Sequence, residues 1–184
     1  VVGLDQKTGK LLWRRPVGIH NGHDDDGLLA MRGEYGKLKT PMTVYPGVFG
    51  GVAGSLALRG STVFVPVVNY ATRLDSQIGA AMVSGSEGGE LVALDVSTGA
   101  VKWKESLGSP VYGPTLATND LVFALTFDGL LHGFDADSGE RIWGRRVAPY
   151  AEGGLAATGS TLLVRAGFPQ AEEVPRLMAL SVDD

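Results

Sequence analysis

Cysteine is absent from the 184 residues, which excludes a disulfide framework, a thiol nucleophile and a zinc–thiolate cluster and leaves the redox compartment unread. No apolar run approaches the roughly eighteen residues that span a bilayer, so no transmembrane segment is expected. The opening Val1-Val2-Gly3-Leu4-Asp5 lacks the charged and long apolar regions of an export signal. Sixteen Lys and Arg against 20 Asp and Glu leave a net charge of −4, so there is no basic field for nucleic acid or anionic lipid, and nucleic acid is not an expected partner. Helical periodicity of useful length is also missing. The glycine-rich stretch "YPGVFGGVAGS" (45–55) has neither the G-x-G-x-x-G spacing nor a P-loop lysine. It reads as an approach of the chain to a strand. No Ser-His-Asp order or paired-carboxylate geometry is fixed by any element.

What is abundant is glycine, 27 residues of it, and it punctuates a repeat. Aligning the three tryptophans gives "GLDQKTGKLLW" (3–13), "ALDVSTGAVKW" (93–103) and "GFDADSGERIW" (133–143), with a degenerate fourth copy, "ALSVDD", at 179–184. Each has a small residue, an apolar residue and an Asp, followed by a Ser or Thr, a Gly and a Trp. This predicts a hairpin in which the Asp carboxylate holds the turn backbone and the Gly takes the positive φ. The repeat residues are Asp5, Gly9 and Trp13, then Asp95, Gly99 and Trp103, then Asp135, Gly139 and Trp143. A second hairpin precedes three of the copies: "LALRGSTVFV" (56–65), "TLATNDLVFA" (115–124) and "LAATGSTLLV" (155–164). Two hairpins per unit make a four-stranded antiparallel blade, strands A to D, and units of about 40 residues with four strands predict an all-β β-propeller.

Trp103 and Trp143 stand 40 residues apart, but Trp13 and Trp103 stand 90 apart. An excess of 31 residues before Gly60 and of 19 between Gly60 and Asp95 accounts for the interval as one blade with two insertions. The expected map is therefore strands C and D of one blade (1–15), a long connection (16–53), a second blade (54–105) interrupted at 70–88, a compact third (110–146) and an incomplete fourth (153–184). Together these make about three and a half four-stranded blades. Pro66 within "VFVPVVN" predicts a bulge or a locally unpaired edge.

Because strand direction alternates, A–B and C–D turns leave one face of the disc, and B–C and D–A connections leave the other. Both insertions lie on the second face, as does a smaller excess around "FPQAEEV" (168–174). Long loops on a rigid scaffold are where binding concentrates, so any site for a protein or small-molecule ligand is expected there. "IHNGHDDDG" (19–27) sits in the longest of these loops. His20 and His23 with Asp24 and Asp26 form a mixed nitrogen and oxygen set of the kind that zinc, iron or manganese accept. The same residue types also build an ordinary solvated loop. His20, Asn21, Asn69 and Arg73 are the candidate cofactor-binding residues, with Tyr70 beside them. The three Trp occupy one repeat position and read as packing between blades. His132 reads as a strand residue with a backbone partner.

At the repeated Leu/Phe-Asp-x-x-Ser/Thr-Gly-x-x-x-Trp the chain resembles the pyrroloquinoline quinone (PQQ) type of propeller repeat, found in quinoprotein dehydrogenases and in a propeller lipoprotein of outer-membrane barrel assembly. The resemblance covers all four partial or complete blades and is weakest at 181–184, where Ser181 replaces the Asp. It implies that each Trp docks on the adjacent blade and that the ring has seven or eight blades. The chain would then be a fragment of a longer polypeptide whose remaining blades are its first partner. It also implies a periplasmic or extracellular setting and opens PQQ and calcium as cofactors. The vicinal cysteines of quinoprotein alcohol dehydrogenases are absent. By analogy with soluble sugar-oxidising quinoproteins, His20 or His23 with Asp24–Asp26 would serve beside the quinone. Two main readings stand: a binding platform acting through the long-loop face, or a PQQ- and calcium-dependent oxidoreductase of an alcohol or sugar. A sensor domain attached to a signalling protein is a third.

Overall fold

Each Asp-containing turn closes for the same physical reason. The Asp5 carboxylate accepts from the backbone N–H of Lys7 and Thr8 and from the Thr8 hydroxyl. Asp95 does the same for Ser97 and Thr98, and Asp135 for Asp137 and Ser138. The bonds from the Ser97 and Thr98 hydroxyls lead the causes that hold the Asp95 carboxyl down to about 2. Gly9, Gly99 and Gly139 follow at φ of 68°, 68° and 79°, a conformation that glycine adopts without strain.

The computed structural model describes residues 1–167 and 174–181. In chain order its elements are β1 (Val2–Leu4), β2 (Leu11–Arg14), α1 (Asp26–Met31), a 3₁₀ turn (Tyr35–Lys37), β3 (Met42–Val44), β4 (Ala57–Arg59), β5 (Thr62–Val68), β6 (Thr72–Asp75) and β7 (Gly79–Met82). They continue with β8 (Gly89–Asp95), β9 (Val101–Leu107), β10 (Leu116–Ala117), β11 (Leu121–Leu125), β12 (Leu130–Asp135), β13 (Arg141–Arg146), β14 (Leu155–Thr158), β15 (Thr161–Ala166) and β16 (Arg176–Ser181). The blade sheets are β1-β2, β4-β5-β8-β9, β10-β11-β12-β13 and β14-β15-β16, every named pair antiparallel. Strand β10 touches both β4 and β14, so the first strands of successive blades lie side by side and the sheets radiate from them. This is propeller geometry.

The core lies between blades. Val63, Val65, Val67, Val92 and Leu94 pack with Trp13 from the blade before, and Phe64, Leu91 and Ala93 pack with Val122, Ala124 and Phe134 from the blade after. Inner strands β5 and β8 are therefore apolar on both faces, which hides any alternation in their sequence, while outer β13 is exposed throughout. In all three hairpins the register slips by one residue just before the Trp, and the residue opposite the ring is small: Gly3, Ala93 or Gly133. Trp13 then lies over Gly99 and donates to the Val96 carbonyl at 3.0 Å. Trp103 lies over Gly139 and donates to the Ala136 carbonyl at 3.1 Å. The turn of the fourth copy falls at 182–184, outside the described residues.

At three places the structure sharpens or corrects the expectations. Of the bulge or locally unpaired edge expected at Pro66, the unpaired edge forms: β5 pairs with β8 without a break and Pro66 faces Leu91, so there is no bulge, while the other side of Pro66 has no strand partner among the described residues. The pairing of β4 ends at Phe64, and Val68 exchanges bonds with Gly51 on that same side. Pro66, two residues before Val68, therefore turns its nitrogen to a position where no strand needs a donor. The connection 16–53 contains α1 and a 3₁₀ turn although no helical period was legible. Ala30 is buried against Val44 and Leu74, so tertiary contact rather than propensity holds a six-residue helix.

His132 is a strand residue of β12 paired with Ala124 and Gly144, as expected, but its buried side chain has no backbone partner among the described residues. Its Nε2 lies 3.3 Å from the Thr126 hydroxyl, and Nδ1 has no hydrogen-bond partner among the described residues. Burial first, then the Arg141 charge, pushes this imidazole down to about 4. The unfolded chain, with an ordinary histidine near 6.5, binds more protons across the window between these values. Stability is therefore expected to fall as pH drops from about 6.5 to about 4. The loss is on the order of 2 kcal/mol after discounting for residual solvent screening. Urea midpoints for wild type and His132→Leu check this, with the variant giving the flatter profile.

Candidate functional site

The two insertions meet. β3, from the first, pairs with β6, from the second, and β6 pairs with β7, giving a small sheet outside the blades. Its own core is Ala30, Val44 and Leu74, closed by Tyr35, Leu38, Met42 and Val48. The third excess, at 168–174, lies outside the described residues except for Val174.

Within "IHNGHDDDG" the His20 ring has an oxygen on each nitrogen: Asp24 Oδ1 at 2.5 Å from Nδ1 and the Val17 carbonyl at 2.7 Å from Nε2. Two acceptors require two N–H donors, which is the protonated ring. Partial burial opposes the charge, but the bonds to Asp24 and Val17 outweigh it, and the pKa lies above the usual value. His23 makes a separate pair, Nδ1 to Asp26 Oδ2 at 2.8 Å. No three His, Asp or Glu side chains converge among the described residues. The expected set of His20, His23, Asp24 and Asp26 is thus two separate His–Asp pairs, each imidazole engaged by its own carboxylate. Both pairs are exposed, and such pairs contribute about 0–1 kcal/mol. His20→Ala with Asp24→Ala is accordingly expected to leave the melting temperature within about 3 °C of wild type in a thermal scan.

Asn21 and Asn69 act as anchors. Asn21 donates to the Thr43 carbonyl at 2.8 Å and accepts from the Tyr45 N–H at 2.9 Å, fastening the loop to β3. Buried Asn69 accepts from the Ile19 N–H at 2.9 Å and donates to Glu90 at 3.1 Å, fastening the base of the loop to the second blade. Gly18 lies so close that a Cβ there would come 2.7 Å from Asn69. Arg73 stands on the exposed side of β6 opposite Thr43 and joins neither anchor. The loop thus brings His20, Asn21 and Asn69 into one braced structure, without Arg73.

Sequence reasoning missed an aromatic row on the same face. Tyr112 and Phe127 meet edge-on at 5.8 Å between ring centroids, and Phe127 and Tyr150 at 5.6 Å. Burial, then the neighbouring Tyr70 and Glu152, raises the Tyr112 hydroxyl above its ordinary value, and the Tyr70 hydroxyl donates to Glu87 at 3.1 Å. Beside Tyr150 is a shallow depression of about 510 Å³ lined by Arg146, Pro149 and Arg176. Asp128 holds Arg146 through its carbonyl and its carboxylate. A signal for this rim was present in Gly54, Gly113 and Gly153. A Cβ on the first would come 2.1 Å from the Gly113 carbonyl oxygen, and one on the second 2.7 Å from that of Gly153, so the chain passes backbone to backbone there. On the tight-turn side a cleft of about 700 Å³ between the third and fourth blades is lined by Phe123, Trp143 and Leu162, with Asn119 and Gly159 at its mouth.

Comparison with known proteins places this geometry. The sequence profile of PQQ_2, outer membrane protein assembly factor BamB, matches residues 1–181. Quinohemoprotein alcohol dehydrogenase ADH IIB of Pseudomonas putida is 30% identical over 139 residues, covering 75% of this chain and 18% of that protein. Lupanine 17-hydroxylase [cytochrome c] of Pseudomonas sp is 31% identical over 160 residues, covering 79% of this chain and 21% of that protein. The chain therefore spans about a fifth of the length of these curated relatives. Among solved structures, quinohemoprotein alcohol dehydrogenase ADHIIG from Pseudomonas putida HK5 superposes with a TM-score of 0.60 at 19% identity, over 90% of this chain and 27% of that one. This likeness supports the fold.

Proposed function

Because this chain belongs to the PQQ_2 family, outer membrane protein assembly factor BamB, we propose that it is a β-propeller platform that binds a partner, a protein or a small molecule, through its long-loop face. The observation that carries this reading is the pairing of β3 with β6. Two insertions, joined by paired residues about 30 apart in sequence, build one sheet with its own core on one face, which turns loops into a shaped surface. Asn21 ties the loop to β3 of that sheet, and Asn69 ties the base of the loop to the second blade. A periplasmic or outer-membrane-associated setting is part of the proposal. No helix among the described residues is long and apolar enough to cross a membrane.

The second reading, a PQQ- and calcium-dependent oxidoreductase of an alcohol or sugar, draws on the dehydrogenase relatives. Two observations on the described residues count against it. Calcium takes six to eight oxygens, and among the described residues no three acidic or imidazole side chains converge. Trp13 and Trp103 are already seated on the next blade, which leaves neither free to stack on a quinone.

The platform reading is tested in the intact protein with a photo-crosslinking amino acid at Leu28 or Tyr150 on the long-loop face and at Asn119 on the tight-turn face. A discrete adduct from the first two positions and none from Asn119 is the expected result. Equal labelling from both faces contradicts the reading.

A further inference from the structure

Resting on the platform reading, we propose that the outer edge of β7 docks an extended segment of a partner polypeptide as an added strand. The two edges of the small sheet differ. The edge at β3 is closed by Asn21, whose side chain bonds the Thr43 carbonyl and the Tyr45 N–H. The edge at β7 is bare. The Val83 N–H donates inward to Ala71, so alternation turns Ala81 inward as well and leaves the backbone N–H and carbonyl groups of Ala80 and Met82 pointing away from β6. No backbone bond reaches them among the described residues.

Exposed strand edges are ordinarily guarded by charge or proline. The outermost strands of the blades follow that rule: Arg14 in β2, Lys102, Lys104 and Glu105 in β9, and Arg141, Arg145 and Arg146 in β13. Residues 78–83, Ile-Gly-Ala-Ala-Met-Val, carry neither. Ile78 is 71% exposed and Met82 55%. Met82 stands opposite Thr72, on the side of the sheet that carries Leu74 and the small core. An incoming strand with apolar residues at alternate positions would bond Ala80 and Met82 and cover both exposed side chains. A second copy of this chain is a poorer occupant. Pairing through three residues buries roughly a few hundred Å², well below the area a stable dimer needs.

The test uses the intact protein and a fluorescein-labelled decapeptide of alternating valine and threonine with terminal lysines. Saturable binding by anisotropy is expected, with slowed amide hydrogen exchange confined to residues 79–83. Ala80→Pro removes one outward donor, and Met82→Lys places a charge on the edge. Each is expected to weaken binding about tenfold or more without lowering the melting temperature. Failure of the peptide to bind, or binding that both variants leave unchanged, overturns the proposal. A concentration-dependent dimer abolished by Ala80→Pro also overturns it, by giving the edge to a second copy. None of these outcomes alters the crosslinking from Leu28 and Tyr150, so the two readings fail separately.

Discussion

Trp103→Ala is expected to cost about 3–5 kcal/mol of folding stability, the range for truncating a packed aromatic in a core. The ring stands 5.7 Å from Phe64 in its own blade and 6.5 Å from Phe134 in the next, measured between centroids, and its N–H reaches the Ala136 carbonyl. Removing it opens the seam between two blades and leaves that carbonyl without its donor. Urea unfolding measures the loss. Trp143→Ala supplies the comparison, since that ring is 39% exposed and its variant is expected to lose less. A neutral Trp103→Ala would contradict the assignment of the repeat tryptophan as the bond between blades.

Gly139→Ala tests the other half of the same contact. A Cβ there would meet the Trp103 ring at 2.6 Å, and the backbone holds φ at +79°. Overpacking of about 1–3 kcal/mol and backbone strain of about 1 kcal/mol together predict a loss of about 2–4 kcal/mol. The two sources separate by mutation. In the Trp103→Ala background the clash is gone, and Gly139→Ala is expected to cost only about 1 kcal/mol more. Gly9→Ala is the matching control, at φ +68° with no atom near the added Cβ. It is expected to cost about 1 kcal/mol. Full additivity of Trp103→Ala and Gly139→Ala would show that the ring and the turn do not share one contact.

Much of this architecture is legible because a repeat writes each contact several times. The small residue before Leu4, Leu94 and Phe134 makes room for the Trp on the facing strand, and the Gly of the next turn receives that ring. Propeller topology then places both insertions on one face, whatever their content. What those insertions build was not legible, because the β3 and β6 pairing joins residues about 30 apart with no repeated pattern to set their register. α1 is shorter than any period can reveal. The loop at 19–27 left a metal site and a solvated loop both open for a chemical reason. Histidine and aspartate suit metals and also suit each other, and only coordinates show His20 bonded to Asp24 and Val17, and His23 to Asp26. Asn69 and Asn21 stand out in the sequence as candidate cofactor-binding residues, and the backbone groups that their side chains satisfy could not be read there. The aromatic rim of Tyr112, Phe127 and Tyr150 is assembled from two connections and one turn, and its sequence signal is the glycines at 54, 113 and 153, spread over three blades rather than gathered in one motif.

The most direct measurement is a titration of the folded, intact protein with PQQ and Ca²⁺, followed by absorbance and by dye reduction with simple alcohols and sugars. A binding platform predicts no stoichiometric uptake of the quinone and no substrate-dependent dye reduction. Stoichiometric uptake with turnover, lost on changing His20, Asn69 or Asp24, would contradict it and make the braced loop part of an active site.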